Sequence, residues 1–189
     1  MLIDEAIRKL DNINLPLKKV REIFEKFRGE KRVVGIVAMN ISRRSSVHEK
    51  EPEESDLLIS LLRDLSEVDD MGSRWAVAKN HHTPIDILEK LARDPVNLVR
   101  ALVATNPNTP ITILRIFFSD EKIVRDGLSG NPATPEELLK VLSNDGDKMV
   151  RLRVAENPGS STSILKGLLD DSDQDVSMAA RSKLGKQQH

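Results

Sequence analysis

The chain has 189 residues, 39% hydrophobic and 31% charged, with 29 Lys and Arg against 30 Asp and Glu and a formal net charge of −1. This is the balance of one folded domain, and it lacks the basic excess expected of a dedicated binder of nucleic acid or anionic membranes. With no cysteine, a single Trp and no Tyr, the sequence excludes disulfides, thiolate catalysis and Cys-held zinc or iron–sulfur sites, and its core must be aliphatic.

The N-terminal stretch MLIDEAIRKLDNINL carries acids early and no unbroken apolar run. It reads as neither a signal peptide nor a membrane anchor, and no later segment approaches the roughly 18 apolar residues of a membrane span. A cytoplasmic location is the expectation. Residues 1–11, with Ile3, Ile7 and Leu10 on one stripe, predict a capping helix. Leu15-Pro16 opens a second helix with Val20, Ile23, Phe24 and Phe27, and Val37-Ala38-Met39-Asn40 closes a third. Residues 42–56 are polar with no apolar period, which predicts a mobile loop insert. That insert contains His48 and Arg43-Arg44-Ser45-Ser46, a sequence of the kind basophilic kinases modify.

From residue 57 onward the chain repeats itself. An apolar-small-x-Asn run ends at Asn80, Asn106, Asn131 and Asn157, at intervals of 26, 25 and 26 residues. An Arg precedes each Asn by six positions (Arg74, Arg100, Arg125, Arg151), and Thr83, Thr109, Thr134 or Ser160 follows it by three. Pro84, Pro110 and Pro135 come next, so each hydroxyl reads as a helix N-cap with Pro in the first turn. Thr134-Pro135-Glu136-Glu137 further reads as a capping box. Apolar residues at matching offsets, such as Ile87/Leu88/Leu91 and Leu138/Leu139/Leu142, form one face of this helix. An acidic turn at Asp94, Asp120, Asp145 or Asp171 leads into a second helix with Val99/Val103, Val124/Leu128, Val150/Val154 or Val176/Ala180 facing inward. Gly127 inside one such helix predicts a local bend.

Helices this short are marginal alone, so stacking must hold them. The reading is all-α: an α-solenoid of about five to six helical pairs with a period near 26 residues. It forms a single domain over 1–189, with a cap and degenerate repeat at 1–41, the insert at 42–56, repeats at 57–184 and a frayed tail at 185–189. The segment Val99-Arg100 through Asn106-Pro107 to Thr109-Pro110 resembles the leucine-rich repeat variant family, and the Asp94-Pro95 turn is similar to HEAT-type repeats. The resemblance implies a right-handed superhelix whose Val-Arg helices line the concave face. It implies no activity.

No Gly-x-Ser-x-Gly, phosphate loop or HExxH is present, so no catalytic, cofactor or metal residues are assigned. His81-His82 reads as a solvated turn. The Asn series reads as scaffold. The Arg series is either a basic ladder open to ligands or one internally paired with the acidic turns. Trp75 aligns with Ala101, Asp126 and Leu152, a column tolerant of polarity and therefore partly exposed. The expected function is a non-enzymatic protein-interaction scaffold contacting a protein or peptide through Arg74, Trp75, Lys79, Arg100, Arg125, Arg151 and Arg153. The alternatives are a nucleic-acid or DNA-repair-type HEAT-like protein, which the composition argues against, and a self-associating structural protein.

Overall fold

The structure, a computed structural model, describes residues 1–44 and 52–186, with side chains of 52–55 left aside. The described residues form helices and no strands, the all-α repeat fold read from the sequence. The chain divides into two compact units, Met1–Val99 and Arg100–His189.

The first unit contains α1 (Ile3–Leu10), α2 (Leu17–Lys26), α3 (Lys31–Arg44), α4 (Pro52–Ser66), α5 (Met71–Lys79) and α6 (Ile85–Leu91). Helices α1, α3 and α5 pack side by side as a first row, while α2, α4 and α6 form a second. Helix α7 (Asn97–Thr105) straddles the division. The second unit continues with α8 (Ile111–Leu114), which tightens into a 3-10 turn over Arg115–Ser119, then α9 (Lys122–Gly130), α10 (Glu136–Leu142), α11 (Lys148–Glu156), α12 (Thr162–Gly167) and α13 (Gln174–Lys186). Here α9, α11 and α13 make the first row. Val124, Leu128, Leu139, Val150, Val154 and Val176 are each fully buried, so the repeating apolar offsets are the core. Among the described residues no helix is long and apolar enough to cross a membrane.

Asn40, Asn131 and Asn157 tie neighbouring repeats together. Asn131 Nδ2 donates to the Ala104 and Asn106 carbonyls at 2.7 and 2.9 Å, and Asn157 Nδ2 to those of Ser129 and Asn131 at 2.7 and 2.8 Å. Each Oδ1 accepts the N–H two residues on, at Ala133 and Gly159. One buried amide thus reaches the last turn of the preceding first-row helix and the carbonyl of its C-cap Asn, and closes its own turn. In the first unit Asn40 Nδ2 donates to Leu10 and Asn12 carbonyls at 2.5 and 3.2 Å. Residues 1–11 are therefore more than a cap: α1 is a first-row helix in register. The signal was present, since Asn12-x-x-x-Pro16 has the spacing of Asn80-x-x-x-Pro84. At the far end Lys183 occupies the Asn position and its ammonium donates to the Asn157 carbonyl.

Three expectations are corrected. The Thr and Ser hydroxyls point backward, not forward: those of Thr83, Thr109, Thr134 and Ser160 each donate at 2.6 Å to a carbonyl six residues earlier. They close the preceding helix, Pro takes the N-cap position, and no side-chain cap or capping box forms at Pro84, Pro110 or Pro135. The 42–56 insert is helical at both ends, in α3 to Arg44 and in α4 from Pro52; residues 45–51, with His48 and the Ser45-Ser46 pair, lie outside the described residues. Of the expected tail at 185–189, α13 includes Gly185 and Lys186, and 187–189 lie outside the described residues.

Gly127 does not break α9. A Cβ there would stand 2.8 Å from the Ala101 carbonyl oxygen and 3.3 Å from the Ala104 Cβ, so this glycine serves close helix approach rather than bending. Gly127→Ala should therefore lower stability by roughly 1–3 kcal/mol despite the better helix propensity of Ala. Gly146→Ala, where a Cβ meets nothing within 4 Å, should change it by less than about 1 kcal/mol. Thermal unfolding of the two variants checks the contrast.

Candidate functional site

The basic ladder is internally paired. Arg74, Arg100, Arg125 and Arg151 each direct Nε and a second guanidinium nitrogen at the carboxylate twenty residues on, with Nε–O distances of 2.6, 2.8, 2.7 and 2.7 Å to Asp94, Asp120, Asp145 and Asp171. These are bidentate fork contacts, strong and directional. The third nitrogen of Arg125 and Arg151 reaches back to the carbonyls of Asp120 and Asp145 at 2.8 Å, so one side chain spans two successive turns. The Asp side chains also accept the N–H two residues on at Asp147 and Asp173. Only 15%, 15%, 26% and 13% of the four Arg side chains is exposed, which leaves these four of the sequence-predicted contacts as scaffold.

Where the Arg is missing its acid is missing too. Counting back from Asn40, Val34 stands in the Arg position; counting back from Asn80, Val68 stands in the acid position. Likewise Ala6, counted from Asn12, has no Arg, and the corresponding acid position is Arg28. The rung comes and goes as a unit, as expected when an unpaired, partly buried charge is costly.

The remaining sequence-predicted residues lie on the exposed face of the first row, formed by positions 8, 5, 4 and 1 before each Asn. In the first unit this face holds Arg32, Gly35, Ile36 and Met39 from α3, and Gly72, Trp75 and Lys79 from α5, with Ala76 buried beneath. Trp75 is half-buried, and the Lys79 ammonium sits 5.1 Å from its ring centroid. Met39 is 58% exposed. A Cβ on Gly35 would meet nothing within 4 Å, so space is open on the α3 side of the face. In the second unit the equivalent face presents Ile123, Met149 and Met178, all exposed. Arg153 lies there too, 3.8 Å from Asp126 and 3.3 Å from Glu156, so its charge is matched locally.

The structure thus brings Trp75 and Lys79 together and assigns the Arg rungs elsewhere. Sequence reasoning missed Met39 and Arg32, although Met39 belongs to the same column as Lys79 and Glu156. Helix α3 lacks the Arg landmark that marks the other repeats, so its exposed columns carry no local signal of their register. A surface cleft of about 360 Å³ beside α5 is lined by Ser66, Glu67, Arg74, Lys90, Arg93 and Asp94. Within it Arg74 binds Asp94, and Lys90 binds Glu67 and the Ser66 carbonyl. His81 and His82 are exposed, and no group of three metal-capable side chains occurs among the described residues.

No known protein family matches the chain, and no curated protein does. It is similar to a solved leucine-rich repeat variant with a novel repetitive protein structural motif, at 24% identity and a TM-score of 0.44, over 94% of this chain and 80% of that one. The repeat architecture rests on the chain's own helices and ties.

The rungs give a pH dependence. Hydrogen bonds from Arg100, Arg125 and Arg151 hold the Asp120, Asp145 and Asp171 carboxyls below the usual carboxylate range, against the opposing effect of burial. A carboxyl depressed on folding stabilises the fold above its unfolded value near 4 and loses that contribution as pH falls through the folded value. Asp145→Asn should lower stability by roughly 2–3 kcal/mol at neutral pH. The gap to the parent should close progressively below about pH 4, as followed by unfolding midpoints across that range.

Proposed function

We propose that the chain is a non-enzymatic, cytoplasmic protein-interaction scaffold that binds through the exposed face of its first-row helices. The observation that carries this reading is the split between repeated and unrepeated positions. Repeated Asn, Thr, Arg and Asp side chains are consumed in holding one helix to the next, whereas Met39, Trp75 and Lys79 occupy the exposed columns and differ from copy to copy. A regular array with a variable exposed face is how solenoids recognise partners. A partly exposed Trp and a flexible, exposed Met on one face have the composition of an energetic anchor. The HEAT-like kinship belongs to the same proposal and is supported by the Asp94-Pro95 turn entering the Val99-Arg100 helix.

Replacing Trp75 and Met39 together by Ala removes surface side chains without touching an Asn tie or an Arg rung. The double variant should keep its helical circular dichroism and unfolding midpoint while losing a binding partner that the parent retains in cell extract after crosslinking. An unchanged partner set with a folded variant would sink the assignment of the face.

A further inference from the structure

The interaction face of the first unit differs from the rest of the chain in charge. Residues 26–32, the turn into α3, carry Lys26, Arg28, Lys31 and Arg32 against Glu30. The matching turns elsewhere are neutral or acidic, with Asp94 beside Arg93, Asp120 with Glu121, Asp145 with Asp147, and Asp171 with Asp173. Arg28 pairs with Asp64 at 2.9 Å and its guanidinium carbon lies 5.7 Å from the Phe24 ring centroid, leaving the other three cations exposed at the edge. Neither Lys31 nor Arg32 meets an acid among the described residues within ion-pair distance. Cations in the first turn of a helix oppose its dipole, so their placement is unfavourable for α3 in isolation. Arg32 and Lys79 supply the charge of the exposed face of α3 and α5, and neither helix places an acid on it. Acids flank this face: Asp4 and Asp11 occupy the matching columns of the neighbouring α1, with Arg8 between them, Glu30 lies in the turn, and Asp69 and Asp70 precede α5, of which Asp70 caps that helix at Ser73.

From this charge pattern we infer that the face of α3 and α5 binds an acidic peptide segment of another protein, with an apolar side chain of that segment against Met39 and Trp75 and its carboxylates toward Arg32, Lys31 and Lys79. The inference rests on the scaffold reading and specifies the partner's chemistry. The cations match a short anionic chain, and the open space beside Gly35 admits a side chain. A nucleic acid fits less well: one face of the lone Trp is occupied by Lys79, so a base has no clear stacking platform. Residues 45–99 hold 12 acids against 6 bases and would repel a long polyanion.

The single Trp makes the test direct, because emission at Trp wavelengths reports Trp75 alone. The full chain is titrated with a twelve-residue peptide of Glu with Leu at every third position, with its Lys counterpart, and with a twelve-nucleotide oligothymidylate. The Glu peptide should shift Trp75 emission saturably, with affinity falling at least about tenfold on raising salt from low to physiological. The variant Lys31→Glu with Arg32→Glu should weaken it by at least about tenfold. That variant places acids where the dipole of α3 favours them, so helical content is retained. Lys79→Glu should act in the same direction. No response to the Glu peptide, an equal response to the Lys peptide, tighter binding of the oligothymidylate, or a scattering mass showing a dimer that these substitutions disperse would each overturn the inference. If the Glu peptide fails while Trp75→Ala with Met39→Ala still loses its partner, acidic recognition falls and the scaffold reading stands.

Discussion

A helix of two or three turns exposes nearly as many unsatisfied carbonyls at its end as it satisfies within, and burying that end without partners is prohibitive. The buried Asn amide answers this constraint, and the rest of the fold depends on it. Two donors on one nitrogen reach the last turn of the previous first-row helix and the carbonyl of its C-cap Asn, while the oxygen fixes the next turn. The hydroxyl three residues later takes a further carbonyl from its own helix. The turn is thereby ordered by the chain's own side chains, and the following Pro can start a new helix in a set direction. Lys183 shows that the demand is for a donor and not for an amide as such.

The Arg–Asp rungs perform the same service at the opposite end of the first-row helices. Each guanidinium holds the acidic turn that follows it in sequence, and those of Arg74, Arg125 and Arg151 also hold the backbone of the turn before. Charge buried this way is matched within the repeat, which is why a chain with 29 bases and 30 acids can line its turns with ions and still present few of them to a ligand. The exception is the basic turn at 26–32. It lies where the rungs are absent; Arg28 pairs with Asp64, while Lys26, Lys31 and Arg32 stay exposed.

Function therefore separates from fold by column. Trp75 illustrates it: neighbouring repeats place Ala101, Asp126 and Leu152 at its position, and neither the Asn ties nor the Arg–Asp rungs pass through that column. A substitution there alters what the surface offers while the stack keeps its hydrogen bonds.

The period of the repeat, the apolar offsets of both helices, the structural role of Asn and the partly exposed position of Trp75 were all legible in the residues, because each is a local pattern with a fixed spacing. Direction was not. Thr134 can cap forward or backward with the same sequence around it, and the carbonyl of Leu128 decided. Gly127 signals a bend by propensity alone, but the Ala101 carbonyl against its Cα makes it a packing contact. Arg100 is equally a ligand site or a rung until the chain brings Asp120 to it. Sequence by itself determined which residues recur and hence that helical pairs stack; only the tertiary structure decided which recurring groups are consumed by neighbours, because that depends on atoms some twenty residues away meeting at hydrogen-bond distance.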